Sequence, residues 1–289
     1  MGTDLPAWPS PTLNYPVLAE INGIRLAFSD TGSGAPVVLL VHGFPLNRSM
    51  WDPQVGSLRG AGYRVIAPDL RGFGTSEGAD FGPLTMEQHA DDLAALLDSL
   101  GVSEPVVYVG LSMGGYIAFA FWRRYPRRVR GFVLADTRAA ADTTAGLLDR
   151  EAMIRRAEAE NSSRVAIEMM RPKLFSPHLR SGAPVERQVL GMMSNNSGAT
   201  VANGARGLAQ RPASFEVLPT VTVPTLVLVG EFDQLTPPSD SAEIAHQIEG
   251  AQLVTIDGAG HMANMENPEA FNAALLAFIA SATGDRRAR

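Results

Sequence analysis

The pentapeptide Gly110-Leu111-Ser112-Met113-Gly114 joins a short apolar run to a second apolar stretch of helical character. The preceding run, Val106-Val107-Tyr108-Val109, is typical of a buried strand, and residues 116–122 favour a helix. Glycines two residues before and after the serine suit a turn so tight that side chains there would collide with neighbouring backbone. The pattern therefore predicts a strained turn that presents the hydroxyl of Ser112 as a nucleophile. The alternative is a glycine-rich turn in which Ser112 only caps the helix.

The amino-acid composition excludes several classes of function. The chain has 289 residues, of which 45% are hydrophobic and 19% charged, as expected of a globular protein with a sizeable core. Its formal net charge of −6 gives no reason to expect nucleic acid or an anionic membrane as a partner. The absence of cysteine excludes thiol catalysis, disulfides and cysteine-ligated metals.

The sequence is not expected to carry a secretory signal or a membrane span. Residues 1–9 lack the basic and apolar regions of a secretory signal, and no apolar run approaches the roughly 18 residues that span a bilayer. We therefore expect a cytoplasmic protein, with residues 284–289 as an unstructured basic tail. The sequence predicts no particular oligomeric state.

Short apolar runs alternate with helical patterns along most of the chain. The predicted buried strands are residues 36–41, 63–67, 106–109, 130–135, 224–229 and 251–256. This alternation predicts an α/β fold with a mostly parallel, doubly wound sheet. No strand is predicted over residues 139–211, a gap too long for a plain crossover. We expect residues 1–137 and 212–289 to form the core, and residues 138–211 to form an inserted cap of four helices.

A nucleophilic serine needs an adjacent base, and five histidines are available. Ligands bind beyond the carboxyl ends of the strands in open α/β sheets, where His42 and His261 are expected. We predict that His261 is the base and that His42 holds its own loop through backbone hydrogen bonds. The remaining histidines are expected to face solvent, two on helices and one in the cap: His89, His246 and His178.

The base needs an acid to orient it. Asp233 lies three residues after Gly230, and it gives the chain order serine, acid, histidine that is known for such sheets. Asp136 follows a neighbouring strand and is the competing choice. Asp257 is too near His261 in sequence to reach its ring. We predict Asp233.

The developing negative charge on the substrate oxygen needs hydrogen-bond donors. The backbone N–H of Met113 directly follows the nucleophile. The second donor is expected in the loop after the first buried strand, at the N–H of Phe44. These two amides are the predicted oxyanion hole.

Five motifs in this order resemble those of the α/β-hydrolase superfamily over about residues 20–280. They are His42-Gly43-Phe44-Pro45, Asp69-Leu70-Arg71-Gly72-Phe73-Gly74-Thr75-Ser76, Gly110-Leu111-Ser112-Met113-Gly114-Gly115, Gly230-Glu231-Phe232-Asp233 and Gly258-Ala259-Gly260-His261. Within the superfamily the chain looks most like the carboxylesterase and 3-oxoadipate enol-lactonase group. That likeness depends on the serine motif, on Ala135-Asp136-Thr137-Arg138-Ala139 and on Glu266-Asn267-Pro268-Glu269. Serine at the nucleophile position argues against the superfamily's haloalkane dehalogenases and epoxide hydrolases, which carry aspartate there.

The resemblance and the residues imply hydrolysis of a small-molecule ester through an acyl-enzyme, without a cofactor or metal ion. A short-chain carboxylesterase is the first prediction and a lactonase is the alternative. The lactonase depends on Arg138, whose positive charge would attract an acidic lactone, but the same arginine could instead hold the cap hinge by a salt bridge. Residues expected near the substrate are Arg138, Met169, Met170, Met193 and Met262, although the cap methionines also suit internal packing. A perhydrolase or haloperoxidase side activity is a further alternative. So is a non-catalytic ligand-binding protein, although no member of the predicted triad is missing.

Overall fold

The computed structural model describes residues 16–284. The predictions for residues 1–9 and 285–289 lie outside that range. Eight strands form one sheet in the order β1-β2-β4-β3-β5-β6-β7-β8. The strands are β1 (Val17–Ile21), β2 (Ile24–Asp30), β3 (Val37–Val41), β4 (Arg64–Pro68), β5 (Val106–Leu111), β6 (Val129–Ala135), β7 (Thr225–Gly230) and β8 (Gln252–Ile256).

The sheet is parallel except at one edge. β1 and β2 pair antiparallel through a turn at Asn22-Gly23, and β2 pairs antiparallel with β4. All other neighbours run parallel. Every residue of β5 and β7 is buried, which explains their uninterrupted apolar runs. The predicted mostly parallel, doubly wound sheet is confirmed.

Ten α-helices lie between or after the strands within the described range. They are α1 (Asp52–Gly60), α2 (Met86–Ser99), α3 (Met113–Arg124), α4 (Thr144–Glu160), α5 (Arg164–Leu174), α6 (Pro184–Ser194), α7 (Gly198–Gln210), α8 (Pro238–Gln247), α9 (Ala263–Glu266) and α10 (Pro268–Thr283). Thr85 caps α2 by accepting a hydrogen bond from the Gln88 amide at 3.2 Å. Within residues 16–284, no helix combines the length and the apolar character needed to cross a bilayer.

Helices α4 to α7 stand between β6 and β7, and we call them the four-helix insertion. Helix α7 joins the insertion to the loop after β4. The carbonyl of Asn203 accepts from the Leu84 amide at 3.0 Å, and the Thr200 hydroxyl donates to the Gly72 carbonyl at 2.9 Å. The insertion therefore lies against the loop that follows β4. Its description as a separate cap over residues 138–211 stays a prediction.

The parallel strands end at one edge of the sheet. His42, Ser112 and Asp136 directly follow β3, β5 and β6, while Asp233 and His261 lie in the loops after β7 and β8. Parallel pairing thus brings chemistry-bearing side chains from distant parts of the chain to one place.

Candidate active site

Ser112 occupies a strained turn between β5 and α3. Its backbone angles are φ 54° and ψ −112°, outside the regions that side chains with a Cβ tolerate well. Two hydrogen bonds hold it there. Its N–H donates to the Ala135 carbonyl, and its carbonyl accepts from the Thr137 hydroxyl, each at 2.9 Å. The adjacent strand β6 therefore supports the strained conformation.

Glycine is required on both sides of Ser112 because the backbone of neighbouring segments lies very close to these two positions. A Cβ on Gly110 would lie 2.4 Å from the Gly114 carbonyl oxygen, and one on Gly114 would lie 2.2 Å from that of Val41. Neither position has room for a side chain. The turn therefore depends on glycine through packing.

His261 and Asp233 form a buried pair. His261 Nδ1 lies 2.8 Å from Asp233 Oδ2, and each side chain is at most 3% exposed. Asp233 also accepts from the amides of Leu235 and Thr236 at 2.8 and 3.0 Å, and from the Thr236 hydroxyl at 2.7 Å. Burial by itself would raise the pKa of Asp233, but His261 and the Thr236 hydrogen bonds outweigh burial and hold that pKa below its usual value. Asp233 is therefore ionised at neutral pH.

Asp136, the competing acid, has a different environment. Its Oδ1 accepts from the Gly230 amide at 2.8 Å, and within residues 16–284 its side chain has no hydrogen bond to His261. Burial raises the pKa of Asp136 well above its usual value, and the negative charge of Asp233 raises it further. Burial therefore favours the protonated form of Asp136, whose carboxyl joins the ends of β6 and β7. The structure brings Asp233, and not Asp136, to His261.

A cavity of about 80 Å³ opens beside Ser112, between the core and the four-helix insertion. Six predicted site residues line it: Ser112, His261, Phe44, Met113, Arg138 and Met170. The sequence missed five further lining residues: Tyr116, Arg150, Leu208, Leu235 and Thr236. The cavity thus combines the predicted nucleophile and base with apolar surface and two arginines.

Three predicted pocket methionines do not line this cavity. Met193 and Met262 are completely buried among other apolar side chains, and Met169 packs against the core from a half-buried position. The prediction for these three is wrong. Adjacent residues on a helix point about 100° apart, so only Met170 of α5 reaches the cavity.

The two predicted oxyanion donors lie next to Ser112. Within residues 16–284, neither the Phe44 nor the Met113 backbone N–H donates a hydrogen bond to another group. A Cβ on Gly43 would lie 3.3 Å from the Ser112 Cβ, so the loop that carries Phe44 touches the nucleophile. Met113 begins α3, where the helix dipole favours negative charge. Both amides are therefore available to a substrate oxygen.

Two histidines outside the pair are buried. His42 Nδ1 lies 2.9 Å from the Gly43 carbonyl, and its Nε2 accepts from the Leu70 amide at 2.9 Å, which agrees with its predicted structural role. His89 was expected to face solvent, and that prediction is wrong. It is completely buried at 6.1 Å from the Phe73 ring, and burial lowers its pKa to about 3, with smaller contributions from the nearby charges of His42 and Arg71.

Glu266 supports the loop of His261. Its carboxylate accepts from the Gly260 amide at 2.9 Å and from the Ser176 amide at 2.8 Å. Ser176 follows α5, so one carboxylate joins the histidine loop to the four-helix insertion. In the sequence, the motif around Glu266 stands out only by its family resemblance. Its role in joining two segments could not be predicted, because hydrogen bonds between distant segments leave no local pattern.

Comparison with known proteins places the chain in a family. The α/β hydrolase fold family matches residues 36–268. An esterase from Thermogutta terrifontis, solved with malate bound, is 41% identical, with a TM-score of 0.87 over 93% of this chain and 99% of that one. The enol-lactonase from Burkholderia xenovorans LB400 is 27% identical, with a TM-score of 0.83 over 91% and 100% of the two chains.

A non-heme haloperoxidase from Rhodococcus erythropolis is 30% identical over 278 residues, which are 92% of this chain and all of that protein. These relatives differ in named activity and share the fold. With its eight-stranded sheet and a family match that spans most of the sequence, the chain belongs to the α/β-hydrolase family.

Proposed function

We propose that the protein hydrolyses short carboxylic esters through an acyl-enzyme on Ser112. His261 takes the proton of the serine hydroxyl as its oxygen attacks the ester carbonyl, and Asp233 holds the resulting imidazolium. The amides of Phe44 and Met113 stabilise the negative oxygen. The alcohol leaves with the proton from His261, and water then repeats the sequence to release the acid.

The observation that carries this proposal is the buried contact between Asp233 and His261, on the same cavity as the strained Ser112. Such a contact selects one tautomer of the ring and leaves Nε2 as the basic nitrogen. A cavity of about 80 Å³ favours acyl groups of a few carbons. The Thermogutta esterase, at 41% identity over 93% of this chain, supports the same assignment.

The test uses p-nitrophenyl esters from acetate to octanoate and a fluorophosphonate probe that labels nucleophilic serines. We expect the highest kcat/KM with two to four acyl carbons. Ser112→Ala should lose kcat by about 10⁴- to 10⁶-fold and should not be labelled. Ser239→Ala, at an exposed position on α8, is the matched control and should behave as wild type. Undiminished labelling or turnover in Ser112→Ala would overturn the proposal.

A lactonase is the second candidate. Arg138 lines the cavity beside Ser112, and an enol-lactonase is among the structures that share the fold over almost the whole chain. Attack by Ser112 on a lactone follows the same steps, except that the leaving alcohol stays attached to the acyl group. Assay of an enol-lactone beside the p-nitrophenyl esters separates the two by kcat/KM. Hydrogen peroxide added to the same assay measures perhydrolysis, the activity closest to the haloperoxidase relatives.

A further inference from the structure

Three arginines converge on one aspartate at the cavity of Ser112. The buried side chain of Asp142 accepts from Arg138 at 3.1 Å and from Arg211 at 3.3 Å through Oδ1, and from Arg150 at 3.1 Å through Oδ2. Arg138 follows β6, Arg150 lies on α4, and Arg211 directly follows α7. One carboxylate therefore faces three positive charges.

Arg211 is buried and held by contacts within the protein, although its Nε has no hydrogen-bond partner among residues 16–284. It is 3% exposed, donates to the Ala140 carbonyl at 2.6 Å and stacks 3.8 Å above the Tyr116 ring. Burial lowers the pKa of Arg211, and the positive charges of Arg138 and Arg150 lower it further. Tyr116 and Asp142 raise that pKa but do not outweigh burial. The cluster therefore holds more positive charge than Asp142 balances.

One further acid faces Arg138. Asp240 on α8 interacts with it electrostatically without an ion pair, and burial raises the pKa of Asp240 despite that arginine. Even with Asp240 ionised, three arginines face two carboxylates. The local charge is positive in a protein whose formal net charge is −6.

Arg138 and Arg150 still have free donors. The Nε of Arg138 is buried without a partner, and within residues 16–284 the two Nη groups of Arg150 donate no hydrogen bond. Both side chains line the cavity with Ser112, and they are 26% and 18% exposed. A guanidinium offers paired donors that match a carboxylate. A neutral substrate that fills this cavity would displace water from both arginines without replacing its hydrogen bonds, which is unfavourable.

We propose that Arg138 and Arg150 form a carboxylate-binding subsite, so that the preferred substrate is an ester or lactone with a second, ionised carboxylate a few bonds from the scissile carbonyl. This inference rests on the proposed function. The carboxylate of the substrate accepts hydrogen bonds from the two arginines while its ester carbonyl lies at Ser112. The subsite then selects a half-ester of a small dicarboxylic acid over a neutral ester of equal size.

The test compares monoethyl succinate with ethyl 4-oxopentanoate, which has the same length and carries an acetyl group in place of the carboxylate. Ethanol release gives kcat/KM for each. We expect the wild type to prefer the half-ester at least about tenfold. Arg138→Gln and Arg150→Gln should each lower the ratio of the two kcat/KM values by about 10- to 100-fold, the range expected for a lost hydrogen bond to a charged group.

Arg155→Gln is the matched control. Arg155 lies on the same helix as Arg150, is 66% exposed and pairs with Glu151, so this variant should keep the wild-type ratio. Arg150→Lys retains the charge and should keep part of the preference. Turnover of ethyl 4-oxopentanoate by each variant shows that it is folded.

The outcomes separate the two proposals. Hydrolysis of ethyl 4-oxopentanoate by the wild type without preference for the half-ester would overturn the subsite alone. An unchanged ratio of the two kcat/KM values in both glutamine variants would also overturn the subsite. Arg138 would then only hold the insertion through Asp142. Hydrolysis of neither ester, together with an unlabelled Ser112, would overturn the proposed function itself.

Discussion

Nδ1 of His261 and Oδ2 of Asp233 lie 2.8 Å apart, although 28 residues separate them in sequence. The two loops meet because β7 and β8 are parallel neighbours that end at the same edge of the sheet. Thr236 holds the carboxylate through its amide and hydroxyl, at 3.0 and 2.7 Å. The pair is therefore in place before any substrate binds.

Changing each of the two buried aspartates, Asp233 and Asp136, to asparagine should have very different effects on kcat. Asp233→Asn should lower kcat by about 10⁴-fold, because the amide no longer selects the His261 tautomer or stabilises its charge. Asp136→Asn should lower kcat less than about tenfold, because a neutral amide resembles the protonated carboxyl that burial favours and still accepts from the Gly230 amide. Steady-state kinetics with p-nitrophenyl acetate measure both. A larger loss in Asp136→Asn would assign the orienting role to that residue instead.

Glu266→Gln should weaken the loop of His261. The Gly260 and Ser176 amides both donate to Glu266, and a glutamine can place only one oxygen between them. We expect a loss of about 1–3 kcal/mol in the free energy of unfolding and a several-fold lower kcat. Urea denaturation and ester turnover measure the two effects. Glu269→Gln, at an exposed position on α10, is the control, and equal losses in the two variants would contradict this role.

Two glycine substitutions in the four-helix insertion should change stability in opposite directions. A Cβ on Gly207 of α7 would lie 1.8 Å from the Leu84 carbonyl oxygen, so Gly207→Ala must push α7 away from the core. We expect a loss of about 1–3 kcal/mol and a raised KM, since the adjacent Leu208 lines the cavity. Gly191→Ala on α6 meets nothing within 4 Å and should gain about 0.5–1 kcal/mol from helix propensity. Thermal and urea denaturation report both, and a Gly207→Ala protein as stable as wild type would show that α7 is not fixed to the core.

His89 should make the protein sensitive to acid. Its pKa is about 3 in the folded protein and about 6.5 in an unfolded chain, so only the unfolded state binds a proton between these values. The stabilising contribution of the neutral His89 is therefore fully present above pH 6.5. Below that pH the free energy of unfolding falls by about 1.4 kcal/mol for each pH unit. His89→Leu should reduce this slope, measured by urea denaturation between pH 7 and 5. His246→Gln, at an exposed position, should leave the slope as in wild type, and an unchanged slope in His89→Leu would contradict the assignment.

Local patterns were sufficient for the elements of the core. The apolar runs of β3, β5 and β7 predict buried parallel strands, because each is buried on both faces. In the insertion, residues 148–159, 164–170 and 185–193 have helix-like sequences that predict helices there, whereas no such stretch marks α7. This helix carries Gly204 and Gly207, which lower helix propensity and are there because its backbone approaches the core closely.

The sequence by itself determined the order of the motifs along the chain and the strained turn at Ser112, and it predicted Asp233 and His261, because each depends on residues adjacent in the chain or on a strand end. Only the tertiary structure decided that His89 is buried, that burial and Asp233 raise the pKa of Asp136, and that Met193 and Met262 lie in the core. It also decided that Arg150 and Arg211 join Arg138 at Asp142. The physical reason is that burial and charge balance depend on packing between segments that are far apart in the chain, such as Asp136 and Gly230 at 94 residues, and a local pattern carries no record of that packing.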